Sequence, residues 1–401
     1  MKNVSVKYWM VWAAMCGMVG ATLGIKNISG LFFTPMAESF GVGRGTISLS
    51  LTISNLMLAA GDFVAPRLYR GDNYRRLSRF CVACVVGASL LMGSVSQLWL
   101  LYVLHCIRGF ASGMMGIVIG TVVINNWFVR YNSVVTGVTL AAGGLVSALL
   151  SPVLSGIIES AGWRAGFRAE AAATLLLYAP LCLLPIAYRP EDAGLPPLGG
   201  QREKAGQASP ETAASRANQT KVLLAALLLL AAFANSVSTF PNHLPGIADS
   251  YALSASVGAA MLSASMVANA GGKVLMGALA ERFGVKRPAV AYTALIAAGL
   301  CLLLVSRSGA AAIVSGAAVG LAFSLTTVVL ALVTKDVFGP EQYRKVFPVV
   351  ALAGTVANAS AASLIGFIYD GTGSYRPAIL MLMGLLCGIA LLLTFLYRRR
   401  E

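Results

Sequence analysis

The sequence predicts an all-α membrane protein of twelve transmembrane helices in two six-helix halves. Three observations predict it. The first is composition: 57% of the 401 residues are hydrophobic and 11% are charged, where soluble domains carry ~25% charged residues. A soluble core cannot absorb that much apolar surface, whereas lipid accepts it in spans of ~20 residues across ~30 Å of hydrocarbon. The second is segmentation, because the apolar runs are bounded by charged and turn residues. The third is the side on which the basic residues fall.

The runs place helix 1 at 9–33, helix 2 at 45–66, helix 3 at 78–96, helix 4 at 99–125, helix 5 at 133–158 and helix 6 at 168–187. Residues 189–220, with Pro190, Pro196, Pro197, Gly199 and Gly200, have no apolar period and read as a flexible linker. Helices 7 to 12 follow at 221–246, 253–280, 288–306, 309–333, 344–369 and 376–397. The domains are thus an N-terminal six-helix bundle (1–188), a cytoplasmic linker (189–220) and a C-terminal six-helix bundle (221–401). Lys2 and Lys7 before an apolar stretch imitate a signal peptide, but the stretch runs past Phe33, too long for a cleaved segment. It is read as helix 1.

With the N-terminus assigned to the cytoplasm, 22 of the 30 Lys and Arg residues fall on the cytoplasmic side. Five, Arg44, Arg164, Arg168, Arg307 and Arg376, fall outside, and Lys26, Arg108 and Lys273 fall within the membrane. This asymmetry fixes orientation and even helix counts in each half. Both termini are expected in the cytoplasm of a multi-pass plasma-membrane protein, a bacterial inner membrane being the expected setting. The formal charge of +15 therefore reports topology and anionic lipid contact. Nucleic acid is excluded as a partner, because the basic residues form short clusters between apolar runs and not one face of a module. The seven cysteines and two histidines show no metal spacing, so neither a metal nor a cofactor is expected. The C-x-x-C of Cys81 and Cys84 lies inside an apolar run and reads as packing. No cluster of nucleophile, base and orienting group suggests an enzyme.

The sharpest motif joins helices 8 and 9: Gly277, Glu281, Arg282, Gly284, Lys286 and Arg287 fit G-x-x-x-[DE]-R-x-G-x-[KR]-[KR]. Glu281 at a helix end can pair with Arg282 and meet the positive end of a neighbouring helix, and Gly284 permits the tight turn. This resembles the signature of the major facilitator superfamily. After helix 2 the equivalent stretch keeps only Gly61 and the basic Arg70, Arg75 and Arg76, with Ala65 and Pro66 where the acid and Arg are expected. Within the superfamily, Trp127-Phe128-x-Arg130, Gly137, Gly162-Trp163-Arg164, Asp370 to Tyr375, and Gly24-Ile-Lys26 with Phe32-Phe33 look like the monocarboxylate transporter family and its bacterial oxalate/formate-type relatives. The acidic-Gly-Trp signature of animal members is missing from the N-terminus. The resemblance implies the major facilitator fold, with a ligand site between the halves at mid-membrane.

Cations inside the bilayer cost ~2.5–3.5 kcal/mol each even on insertion scales, so each needs a reason. Asp62, Glu159 and Glu170 read as lying near helix ends, leaving no mid-membrane carboxylate, so an electropositive cavity awaiting an anion is expected. Lys26, ~7 Å beyond the middle of helix 1, either binds a carboxylate and exchanges a proton or snorkels outward. Lys273 shares a helical face with Asn269, four residues earlier. The resemblance implies that Lys273 is the substrate-carboxylate clamp and Asn269 its hydrogen-bonding neighbour. Family members carry Arg at that position, and Lys lacks the planar fork; snorkelling is the other reading. Arg108, with Gly109, Gly113 and Gly116, resembles the helix 4 motif of the superfamily and either contacts substrate or pairs structurally. His105, one turn earlier, is a proton-transfer candidate or a packing histidine. Gly143, Gly144, Ser147, Ser151 and Gly156 on helix 5, and Gly354, Ala357, Asn358 and Ala361 on helix 11, are read as the interface between halves.

The expectation is a monomeric alternating-access transporter of a small organic anion, a lactate-, pyruvate- or formate-like monocarboxylate, in symport with protons. Lys26 and Lys273 would hold the carboxylate. The rivals are oxalate/formate-type exchange, export of drugs or metabolites, and a sensor role, against which the short tails argue.

Overall fold

The computed structural model describes residues 5–199 and 217–398. Among them the chain is helical, with no strand beyond the isolated bridge between Phe128 and Leu198. The first helices are α1 (Val6–Asn27), α2 (Phe33–Phe40), α3 (Arg44–Leu68), α4 (Tyr74–Met92), α5 (Leu98–Met114), α6 (Ile117–Trp127) and α7 (Asn132–Leu183). The others are α8 (Ala217–Ser238), α9 (Leu244–Ser250), α10 (Ala255–Phe283), α11 (Lys286–Val305), α12 (Gly309–Gly320), α13 (Ala322–Ser324), α14 (Leu330–Thr372) and α15 (Arg376–Arg398).

Nine stretches of the described residues are long and apolar enough to cross a membrane. One of them, Val134–Leu183, holds two helices. Gly162 sits inside α7 at φ 82, ψ 165, a conformation all but closed to side chains with a Cβ. Gly339 divides α14 in the same way at φ 74, ψ 168. Two further helices have membrane length: α4, which carries Arg75, Arg76 and Arg79, and α10, which is rich in Ala, Gly and Ser. The fold is thus an all-α membrane protein.

The chain forms two compact units, Met1–Val42 with Leu49–Lys204, and Gly43–Ser48 with Ala205–Glu401. In the first unit Tyr8, Met15, Met18, Trp127 and Tyr178 are buried together. In the second, Leu227, Phe240, Ile296, Leu382 and Leu393 are buried together. In the second unit, Asp370 accepts from the N–H groups of Arg44 and Gly45 at 2.8 and 2.7 Å, capping the start of α3. The Arg44 guanidinium bonds Asp249 at 2.5 Å and lies 4.3 Å from the centre of the Tyr369 ring.

The same contacts recur in both units. In the first, Ser147 donates to Gly24 O at 3.1 Å; in the second, Asn358 donates to Asn235 O at 3.0 Å, and each bond joins residues 123 apart. A Cβ on Gly109 would strike Ser54 O, and one on Gly320 would strike Ser265 O. Each member of the second set stands 211 residues after its counterpart (24 and 235, 54 and 265, 109 and 320, 147 and 358). The two units are therefore repeats of one packing plan.

Several expectations are corrected. Predicted helix 4 is broken at Met115 and Gly116, where Gly116 takes the extended φ −77, ψ −153. Predicted helix 10 contains a π turn at Leu325–Val329. Four of the small residues of helices 5 and 11, read as an interface between halves, make contacts within a unit. Gly143 and Ser147 let α7 approach α1, while Gly354 and Asn358 let α14 approach α8, each inside one unit. The described start of the linker is anchored and not free: Leu198 exchanges backbone bonds with Trp127, Val129 and Arg130, and Tyr8 donates to Pro196 O. Residues 200–216 lie outside the described set.

Candidate functional site

The first unit holds a narrow crevice at the meeting of α1, α3, α5 and α7. With about 20 Å³ of open space, it has room for roughly one water and not for a solute. Two cations line it, Lys26 from α1 and Arg108 from α5. Around them stand Thr22, Ser29, Ser54, Asn55, Ser112, Thr174 and Tyr178, all able to donate hydrogen bonds. No carboxylate is among the lining residues. Thr22 and Tyr178 hold each other at 3.0 Å, fixing α1 against α7.

The two cations differ in what stands behind them. Arg108 Nη1 bonds Glu170 Oε1 at 2.5 Å, and the two side chains are 6% and 1% exposed. Ser89 donates to the same oxygen at 3.2 Å. This corrects the expectation that no carboxylate would neutralise the buried cations. Glu170 stands eight residues beyond the Gly162 break, far enough into the second arm of α7 for its carboxylate to reach Arg108. Lys26 has no described carboxylate within 4.0 Å. Asp62 on α3 acts on it through space from a greater distance. His105 is buried, its Nδ1 has no hydrogen-bond partner among the described residues, and it is not part of the lining.

In the second unit Lys273 also lacks a described carboxylate within 4.0 Å; its Nζ lies 6.0 Å from the centre of the Phe323 ring. Asn269 is buried, and its amide nitrogen is 4.0 Å from Met266 Sδ. The expected hydrogen bond between Asn269 and Lys273 is not formed, because the Asn269 amide turns back along its own helix.

The chain matches the Major Facilitator Superfamily over residues 14–245 and again over 222–401. It belongs to that superfamily. No curated protein matches it. Among solved structures it is similar to a bacterial homologue of the human lysosomal transporter Spinster in an inward-facing, occupied conformation. The TM-score is 0.69 at 15% identity, over 98% of this chain and 96% of that one. It is also similar to the nucleoside transporter NupG, at TM-score 0.71 and 13% identity, over 97% and 99% of the two chains. At these identities the likeness establishes the fold.

The protein is thus a multi-pass membrane transporter of the Major Facilitator Superfamily, not an enzyme. The superfamily signature lies at the junction of α10 and α11. Gly284, at φ 75, makes the turn between them. Glu281, Arg282 and Arg287 are exposed, Lys286 opens α11, and Gly277 has open space beside it. Glu281 makes no ion pair among the described residues, so the expected Glu281–Arg282 bridge is absent; Arg282 instead lies 5.3 Å from the centre of the Phe283 ring. The Trp127 indole donates to Ala187 O at 3.0 Å, and Arg164 donates to Val95 O at 3.1 Å while stacking on Trp163. Those motif residues fasten helix ends in place.

Sequence reasoning set Asp62 and Glu170 near helix ends and missed their relation to the buried cations. Glu170 is 62 residues from Arg108, a separation at which no helical period operates. Asp62 had one signal, the glycine at 116. A Cβ there would start 2.9 Å from Asp62 Oδ1.

Proposed function

We propose that this transporter moves a small organic anion, a monocarboxylate such as lactate, pyruvate or formate, in symport with protons by alternating access. One observation supports the reading above others: the crevice presents two cations and a ring of hydroxyl and amide donors with no carboxylate on its lining. A carboxylate entering it gains charge-assisted hydrogen bonds and gives the Lys26 ammonium a near partner. Arg108 is already committed to Glu170, so Lys26 is the primary anion ligand and Arg108 a fixed positive wall. Lys273 with Asn269 is the second candidate ligand set, in the other unit. The crevice is too small for a solute in this conformation, so binding requires the widening that alternating access provides. In this reading the protein works as a monomer in a plasma membrane, with both termini in the cytoplasm.

The test is uptake of radiolabelled lactate into proteoliposomes driven by an inward proton gradient. Wild type accumulates lactate, and Lys26→Ala loses at least tenfold in rate. Equal rates in the two proteins remove Lys26 from the mechanism. Uptake that requires a counter-anion inside the vesicle replaces symport with exchange. If no small carboxylate raises the melting temperature of the purified protein, the anion reading fails.

A further inference from the structure

Asp62 stands behind the crevice without lining it. It lies on α3 opposite the break between α5 and α6, and three packed elements present groups to it. From α1, the Lys26 ammonium acts on it through space. From the start of α6, the backbone N–H of Val118 faces its carboxylate. From the end of α5 come carbonyls. The point where a Gly116 side chain would begin is 2.9 Å from Asp62 Oδ1 and 3.3 Å from the oxygens of both Ser112 and Gly113. Oδ1 is itself buried and has no hydrogen-bond partner among the described residues. Farther back along α5 stand Arg108, bonded to Glu170, and the buried His105.

We propose that Asp62 takes up and releases the coupled proton in step with the anion at Lys26, an inference that rests on the anion reading above. In the empty protein one Asp62 oxygen faces the Val118 N–H, and Lys26 supplies the countercharge. When an anion enters the crevice it draws on the same ammonium. Two negative charges then share one cation in a poorly solvated place, which raises the cost of keeping both ionised. A proton on Oδ1 removes that cost. The new O–H is directed at the end of α5, where Ser112 O borders the same Gly116 position as Oδ1 and, already accepting from Met115, can take a second donor. When the anion leaves, Lys26 again favours the ionised carboxylate and the proton departs. One proton enters and one leaves, with no covalent change.

Other buried groups serve this role less well. Glu170 is held by Arg108 and Ser89 and does not line the crevice. The repeat puts Val237, Lys273, Val319 and Met381 in the second unit where the first has Lys26, Asp62, Arg108 and Glu170. That set offers no carboxylate to titrate.

Asp62→Asn tests the proposal, since Asn keeps the volume and can still accept from Val118. In calorimetry of lactate binding to the purified full-length protein, run in buffers of differing ionisation enthalpy, wild type takes up a proton with each anion. Asp62→Asn binds lactate without proton uptake, and Asp62→Glu restores it. In vesicles, Asp62→Asn loses gradient-driven accumulation but keeps lactate counterflow. Proton uptake that persists in Asp62→Asn overturns the inference. An infrared titration without any anion separates the two failures. A protonated-carboxyl band that responds to pH and is missing in Asp62→Asn sustains Asp62 as the titrating group even if no carboxylate binds. A band unchanged in a variant that elutes and melts like wild type removes Asp62. Should Asp62→Asn fail to fold, displacement of that band in Asp62→Glu supports the assignment, and an unmoved band overturns it.

Discussion

Replacing Glu170 with Gln isolates the value of a buried charge. Gln keeps the size of the side chain and an acceptor oxygen, so the change removes mainly the negative charge facing Arg108. Both side chains are nearly inaccessible, at 6% and 1% exposure, and their contact is 2.5 Å. Removing one partner of such a pair leaves an uncompensated buried cation and costs ~3–5 kcal/mol. The Ser89 hydroxyl donates to the same oxygen at 3.2 Å. Its bond falls from charge-assisted to ordinary, a further loss of about 1 kcal/mol that overlaps the first. We expect Glu170→Gln to lose ~3–5 kcal/mol in reversible unfolding in mixed micelles, followed by helicity and tryptophan emission. The companion variant Arg108→Met with Glu170→Gln should recover most of it, because an apolar replacement of a buried pair is close to neutral. The reasoning is refuted if the single variant stays within ~1 kcal/mol of wild type, or if the double variant is no more stable than the worse single one.

Five further substitutions use the same unfolding assay. Gly109→Ala and Gly320→Ala each drive a carbon into a backbone carbonyl, Ser54 O and Ser265 O, and should lose ~1–3 kcal/mol; Gly87→Ala, whose added carbon meets nothing, should show only the small effect of a helix substitution. Gly162→Ala meets no atom but must hold φ 82, ψ 165, and should lose ~1–3 kcal/mol from backbone strain alone. Trp127→Phe forfeits the bond to Ala187 O, an expected loss of ~1 kcal/mol that loosens residues 187–199, read as faster proteolysis there.

What the sequence disclosed was governed by local rules. Apolar length and basic asymmetry placed the helices, and the glycines at 162 and 284 marked turns where they occur. The interior of the first unit was not legible. Glu170 belongs to α7 but lies beyond the break at Gly162, so its depth depends on how the second arm packs and not on its distance from a charged loop. Asp62 follows Gly61 within α3, yet its partners come from α1 and from the break before α6. Gly143, Ser147, Gly354 and Asn358 were recognised as contact residues, but their partners on α1 and α8 were not, because small-residue spacing shows that helices approach closely and does not say which helices do.

The repeat sharpens the meaning of the buried charges. If the two units descend to one packing plan, a side chain required by that plan should have a counterpart 211 residues away. The packing residues obey this: Ser147 matches Asn358, Gly109 matches Gly320, and Gly61 matches Gly272, which meets Leu321 and Ser324 as Gly61 meets Phe110 and Gly113. The charges do not. Lys26, Arg108 and Glu170 correspond to Val237, Val319 and Met381, and Asp62 corresponds to Lys273, a reversal of sign. Structural need therefore accounts for the glycines and the interhelical hydrogen bonds but not for the charges, since the second unit builds the same contacts without them. A buried charge kept in one repeat and omitted from the other carries a desolvation cost that the fold does not require. Function is the reason we propose for that cost: the cations that line the crevice of the first unit, with Asp62 behind them, serve the proposed anion and proton.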